Sequence, residues 1–315
     1  MSIFPEYAEY DATGLAELVK KKKVTPAELV ESALDRINRL NPELNAVVIP
    51  MDDWARKDAA DLVQDSNRMK GAFAGVPLLL KDLLAAVKGI PLTNGSAAFQ
   101  SQVPGEDSDV VRLLKNEGFI ICGKTNTPEL GTKGITEPKL YGPTKNPWDT
   151  SRTPGGSSGG SGAAVASGMV PVAGAGDGGG SIRIPASHGG IFGLKPTRGL
   201  LPTGPFSGEN WLGATVEGVL SRTVRDTAAM LDILAVPDPG APYYIRRPDE
   251  PYIKALKKKV KPLRIAFSAI SPYGTKVDST CVDAVTATAK LLESMGHHVE
   301  QTAPPVDGQK LAESY

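Results

Sequence analysis

The sequence predicts an α/β layered fold, and three observations carry that expectation. Short apolar runs of strand length alternate along the chain with segments of helical periodicity. The run Gly75-Val76-Pro77-Leu78-Leu79-Leu80 is continuously apolar, as a strand covered on both faces must be, and it ends in Lys81-Asp82. Thr25-Pro26-Ala27-Glu28 is a helix start of the capping-box kind, with proline at the first helical position.

A first helix is expected from about Ala12 to Lys22. The second begins at the capping box, repeats Leu29, Ala33, Ile37 and Leu40 at helical spacing, and is expected to stop at Asn41-Pro42. Ala46 to Ile49 reads as a short strand, Gly75 to Asp82 as a buried one, Asp109 to Asn116 as a helix and Phe119 to Cys122 as a further buried strand. From Pro154 to Pro196 the chain turns glycine- and serine-rich, yet it keeps the apolar runs Ala163 to Val165, Val170 to Val172 and Ile191 to Leu194. A flexible linker would lack them. Thr223 to Leu234 reads as a helix, Leu263 to Phe267 as a strand, Val282 to Met295 as a helix, and a strand starts near Val299. Pro237 to Pro262 reads as a long surface connection. The pattern breaks off within a helix start at Gln309 to Tyr315, so residues 1–315 are expected to form a single domain that lacks a C-terminal part.

Composition narrows the function classes. The chain has 315 residues, 41% of them hydrophobic, enough for a substantial core. Lys+Arg and Asp+Glu are both 35, which points away from nucleic acid, anionic membrane and acidic partners. The basic runs Lys20 to Lys23 and Lys257 to Lys259 read as solvated helix ends or connections. Cys122 and Cys281 make no disulfide framework, the N-terminus has no leader pattern, and no window of about 18 residues is apolar throughout. A cytoplasmic location is the expectation. The three histidines, His188, His297 and His298, have no metal-ligand spacing, so a zinc hydrolase is not expected.

The chemistry concentrates in two serines set among glycines, Ser157 in Gly155-Gly156-Ser157-Ser158-Gly159-Gly160 and Ser181 in Asp177-Gly178-Gly179-Gly180-Ser181. Runs of glycine let several N–H groups converge on one point, as a phosphate cradle or an oxyanion hole requires. The literal phosphate-loop pattern, Gly118 to Thr125, has Phe-Ile-Ile-Cys at its centre, which is strand rather than loop. The literal GxSxG pattern would make Ser158 an elbow nucleophile, but the two prolines in Asn146 to Pro154 leave no strand before it. What remains is a serine nucleophile without histidine. A lysine can serve it as base if burial lowers its pKa, and Lys81, at the end of a buried strand, is so placed.

The block Gly155 to Gly199 resembles the amidase-signature family, and GVPLLLKD (Gly75 to Asp82), GKTNTPE (Gly123 to Glu129) and GPTKNPW (Gly142 to Trp148) precede it in the family's order. The resemblance covers about residues 10 to 305. It implies a central mixed β-sheet covered by helices on both faces. It further implies Ser181 as nucleophile, Ser157, preceded by a cis peptide, as bridging serine, and Lys81 as base. Gly178, Gly179, Gly180 and Ser181 would form the oxyanion loop, supported by Ser158, Asp177 and Arg183, and Gly131 would line the acyl side of the pocket. No metal or cofactor is implied, only a small-molecule amide as substrate, with a homo-oligomer as an open possibility. The family's loop usually resembles GTDTGGS; here Gly178 stands for the threonine. Its common cysteine is His188, read as a packing substitution. The family also contains the glutamine-hydrolysing component of the glutamyl-tRNA amidotransferase, which is an alternative reading, but its stretch after the nucleophile resembles SIRQPA, whereas Ile184 stands here. A non-catalytic fragment is a further alternative. The segment Phe206 to Trp211 has no assigned place around the pocket.

Overall fold

The computed structural model describes residues 4–314. The chain divides into two compact units, Met1–Leu256 and Lys257–Tyr315, where the sequence suggested one domain.

The first unit opens with α1 (Ala12–Lys20), capped by Asp11, whose carboxylate accepts from Gly14 N. Helix α2 (Pro26–Leu44) starts at the expected capping box: Thr25 and Glu28 exchange side-chain and backbone bonds. It does not stop at Asn41-Pro42. Pro42 sits inside its last turn, where only one helical donor is lost, and Asn45 in the left-handed conformation (φ 49°) closes the helix by donating to Asn41 O at 2.8 Å. The Asn41 side chain accepts from Ala46 N and Val47 N and donates to Val47 O, each at 2.8 Å, and so ties β1 (Val47–Pro50) to the helix end. Helix α3 (Asp52–Gln64) follows, with Ala55, Ala59 and Leu62 buried.

Strand β2 (Pro77–Lys81) and α4 (Asp109–Asn116) fall where the apolar runs and the periodicity put them, and β3 (Ile120–Thr125) runs three residues beyond the expected end at Cys122. The phosphate-loop pattern is therefore a buried strand, as its composition required. The glycine-rich block folds as α5 (Gly159–Ala166), β4 (Val172–Asp177), α6 (Arg183–Gly189) and β5 (Phe192–Gly193). Strand β6 (Val216–Ser221), α7 (Val224–Leu234) and the short α8 (Tyr252–Ala255) complete the unit. The six strands form one mixed sheet in the order β1-β3-β2-β4-β6-β5. Strand β2 is parallel to both β3 and β4, while β1, β6 and β5 pair antiparallel with their neighbours. Every residue of β2, β3, β4 and β6 is buried. Successive side chains of a strand face opposite ways, so burial of all of them means that both faces of the sheet are covered.

The second unit is a βαβ arrangement: β7 (Arg264–Phe267), α9 (Ser279–Ser294), and β8 (His298–Gln301) parallel to β7, followed by α10 (Gly308–Ser314). No helix among the described residues is long and apolar enough to cross a membrane.

Helix α5 rests close on the sheet because its first turn is glycine. A Cβ on Gly160 would fall 2.4 Å from Asn126 N and 2.6 Å from Ala46 O, both backbone atoms that cannot swing aside. Thr125 and Ser161 share a hydroxyl hydrogen bond of 2.7 Å, and Ser161 Oγ donates to Gly174 O at 2.7 Å, stitching the helix across β3 and β4. Gly160→Ala should lower stability by about 2–3 kcal/mol through overpacking. Urea unfolding of the variant checks this; an unchanged midpoint would mean that α5 can lift from the sheet without penalty.

Candidate functional site

Strands β2 and β4 run parallel as sheet neighbours, with Leu79 opposite Ala173, so their C-terminal ends emerge at one edge. The edge beyond the carboxyl ends of parallel strands is where α/β folds assemble sites. Lys81 is the last residue of β2, and Asp177 the last of β4. The start of α5 adds Ser157 and Ser158 from the same side.

Lys81 and Ser157 are both 2% exposed, and Lys81 Nζ donates to Ser157 Oγ at 2.6 Å. Burial lowers the lysine pKa from 10.5 to about 7, against the charges of Asp177 and Glu217, which act to raise it. The Gly156–Ser157 peptide is cis, as the resemblance implied. Gly131, at φ 69°, stands beside this pair: a Cβ there would lie 3.4 Å from Ser157 Oγ and only 2.6 Å from Leu83 Cδ2.

Ser158 is fully buried and held by backbone. Its hydroxyl donates to Gly176 O and accepts from Gly176 N, both at 3.3 Å, and its N–H donates to Ser181 O at 3.3 Å. A hydroxyl so enclosed and so occupied suits a support and not an elbow nucleophile. Ser181 is partly exposed at the mouth of the same loop, with Gly179 exposed and Gly178 half-buried beside it.

The Asp177 carboxylate organises that loop. It accepts from Gly180 N at 2.8 Å, Ile182 N at 3.1 Å and Arg183 N at 3.3 Å, and from Arg183 Nε and Nη2 at 2.9 Å each. Burial alone would raise its pKa, but the hydrogen bonds from Arg183, Ile182 and Gly180 outweigh it and hold the acid below the ordinary 3.8. The Gly180 N–H is thereby committed to Asp177, which separates Gly180 from the other glycines of the expected oxyanion loop. His188 lies exposed on α6 with its Nδ1 3.4 Å from Thr153 O, so it is a surface side chain and fills no interior space.

The sequence pattern assigns no role to three buried charged residues near this edge. Lys124 on β3 is fully buried and donates to Ala85 O; burial lowers its pKa to about 8. Asp82 accepts from Thr93 N at 3.1 Å and from the Thr93 hydroxyl. Glu217 on β6 faces Gly176 in register and is 8% exposed; burial raises its pKa to about 7, against Lys124 and Lys81. The available signal was a single charged residue inside an apolar strand pattern, GKT in one case and VEGV in the other.

Comparison with known proteins places these features in a wider context. The chain matches the Amidase family model over residues 28–315. It is 39% identical over 305 residues to the 6-aminohexanoate-cyclic-dimer hydrolase of Pseudomonas sp. (strain NK87), covering 95% of this chain and 60% of that protein. It is also 39% identical to the acylamidase of Rhodococcus erythropolis, over 93% of this chain and 61% of the relative. A solved structure of 6-aminohexanoate cyclic dimer hydrolase complexed with substrate superposes with a TM-score of 0.89 at 39% identity, covering 94% of this chain and 61% of that one. The chain thus spans about 60% of the length of these relatives.

Asp177→Asn should weaken the loop through its lost charge. Arg183 is 54% exposed, so solvent screens part of the pair. A loss of about 2 kcal/mol is expected from hydrogen bonds to a charged acceptor. Because the folded pKa is depressed, the wild-type contribution is present above pH 3.8 and fades as pH falls below it. Denaturation of both proteins across that range checks the point: the difference should shrink toward low pH.

Proposed function

The chain belongs to the Amidase (amidase-signature) family, and from that premise we propose that it carries the catalytic centre of an amidase hydrolysing carbon–nitrogen bonds of small linear or cyclic amides. The observation that carries the reading is the buried 2.6 Å contact from Lys81 to Ser157, with the lysine pKa lowered to about 7. An ammonium held at its ordinary pKa could not accept a proton near neutrality; this amine can.

In the proposed sequence neutral Lys81 takes a proton from Ser157, and Ser157 takes one from Ser181 as its oxygen attacks the amide carbon. The carbonyl π pair moves onto oxygen and gives a tetrahedral oxyanion. The N–H groups of Gly178, Gly179 and Ser181 form its cradle, each worth about 3 kcal/mol by the measure of other oxyanion holes. Gly180, whose N–H serves Asp177, holds the cradle's shape. The proton returns through Ser157 to the leaving amine as the C–N bond breaks, leaving an acyl ester on Ser181. Water then attacks the ester along the same relay, releases the carboxylic acid and restores the serine. No step calls on a metal or organic cofactor. The two free cysteines, Cys122 buried and Cys281 exposed, agree with a reducing compartment, and we place the reaction in the cytoplasm.

Two measurements test this. A fluorophosphonate should label wild type at Ser181, and Ser181→Ala should abolish the label while the protein stays folded; labelling that moves to Ser158 would restore the elbow mechanism. The second is the pH profile of acylation. The base must be neutral, so the rate should rise with pH through about 7 and then level off. Lys81→Met should remove that rise and cut the rate on the order of 10³-fold or more. An unchanged limb in the variant would assign the base elsewhere.

A further inference from the structure

Residues 210–215 form a tight loop immediately before β6. Asn210 and Thr215 pair as an antiparallel bridge, Gly213 N and Thr215 N donate to Asn210 O at 3.1 and 3.2 Å, and Ala214 N donates to Trp211 O at 2.9 Å. Trp211, Leu212 and Gly213 hold φ of 48°, 51° and 75°. Two successive side-chain-bearing residues in the left-handed region are disfavoured, and such a conformation persists only where its surroundings fix it. Those surroundings are visible: Tyr243 Oη donates to Glu209 Oε2 at 2.8 Å, the Arg198 guanidinium lies 5.6 Å over the Tyr243 ring, and a Cβ on Gly213 would fall 2.7 Å from Tyr243 Oη.

Sheet register determines where this loop lands. Val216, the first residue of β6, pairs with Asp177, the last residue of β4. The loop entering β6 therefore stands beside the loop leaving β4, which carries Gly178 to Ser181. The outcome is direct contact. A Cβ on Gly178 would lie 2.7 and 2.8 Å from Trp211 Cε3 and Cζ3, and 2.7 Å from Thr215 Oγ1. The indole occupies the space that a side chain at 178 would need. A side chain at 178 would force the indole or the Thr215 hydroxyl to shift. One edge of the indole presses on Gly178, yet 54% of the residue remains exposed at the site's edge.

We propose that Trp211 is the specificity-determining wall of the site, its indole receiving the hydrocarbon or aryl group that flanks the scissile amide carbonyl. The proposal rests on the reading of Ser181 as nucleophile. A rigid indole offers an apolar contact surface at little conformational penalty, and it rewards flat or aliphatic groups over hydrated ones. Its position against the first glycine of the proposed cradle puts it within reach of groups adjoining the reacting carbon. Phe206, 56% exposed in the preceding segment, adds apolar surface to the same stretch of chain.

The test compares two fluorophosphonates of similar length on the 315-residue chain, one bearing an alkyl–phenyl chain and one a polyether chain, by the second-order rate of labelling at Ser181. Wild type should prefer the apolar reagent. Trp211→Ala should cut its rate about tenfold while the polyether rate stays within about twofold, the scale on which a lost apolar contact discriminates. Trp211→Phe should retain most of the preference, and Trp211→Gln, similar in length but polar, should lose it; these two serve if the alanine variant does not fold. Equal losses for both reagents would make Trp211 a prop of the loop and overturn the proposal. So would unchanged rates. Wild type labelled at neither reagent, or at another serine, would instead remove the nucleophile reading beneath it.

Discussion

The site depends on one act of desolvation. Lys81 is the final residue of a strand whose every side chain is buried, and it is itself only 2% exposed. Water is the main reason that a lysine ordinarily holds its proton to high pH. Removing it leaves the Ser157 hydroxyl, at 2.6 Å, to receive the amine's hydrogen bond. The other features of the site follow from the need to bring hydroxyl-bearing segments to a group that cannot move toward them. The parallel pairing of β2 with β4 brings the Asp177–Ser181 loop to the same edge, and α5 must press onto the sheet to deliver Ser157.

That close delivery explains the density of glycine. At Gly160 the backbone of α5 approaches Asn126 and Ala46 so closely that no Cβ fits, and at Gly178 the indole of Trp211 fills the corresponding space. These glycines are therefore needed for proximity more than for flexibility. The loop that follows β4 is stiffened by a charge: Asp177 gathers three backbone N–H groups and a two-pronged Arg183 around one carboxylate. Glycine provides the access and aspartate fixes the shape.

Much of this is legible in the sequence, for reasons that differ by residue. Helix α4 is delimited correctly because its apolar face is strongly periodic. Lys81, Ser157 and Ser181 stand out because hydroxyls among glycines and a lysine closing an apolar run are rare combinations, and the structure brings Lys81 against Ser157. Helix α3 escapes notice because its buried stripe is two alanines and a leucine, too weak a pattern to read. Strand β6 escapes because Glu217 interrupts it, and the burial of that carboxylate is a tertiary effect. The expected end of α2 falls early because proline usually halts a helix, whereas here the helix continues past Pro42 for two residues at the expense of one donor and is closed by Asn45. Trp211 has no place in the site on sequence grounds, because its position depends on the register of β6 against β4 and on a left-handed turn that no local pattern announces.

Glu217 then has a physical meaning that neither strand nor motif suggests. Burial acts on it and on Lys81 in opposite senses: the lysine is driven to release its proton and the acid to keep one, both toward a pKa of about 7. The charge of each opposes the other's shift, so the two groups bias each other. Holding ammonium and carboxylate together in a dry interior would require desolvating two ions, and their attraction seldom offsets that in full. Holding amine and acid in their neutral forms desolvates none. Near neutrality both Lys81 and Glu217 are thus driven toward their uncharged forms, while Asp177 keeps its charge in the pair with Arg183. The relay proposed here requires an amine free to accept a proton, and a carboxylic acid that burial holds toward its neutral form makes that state less costly to maintain.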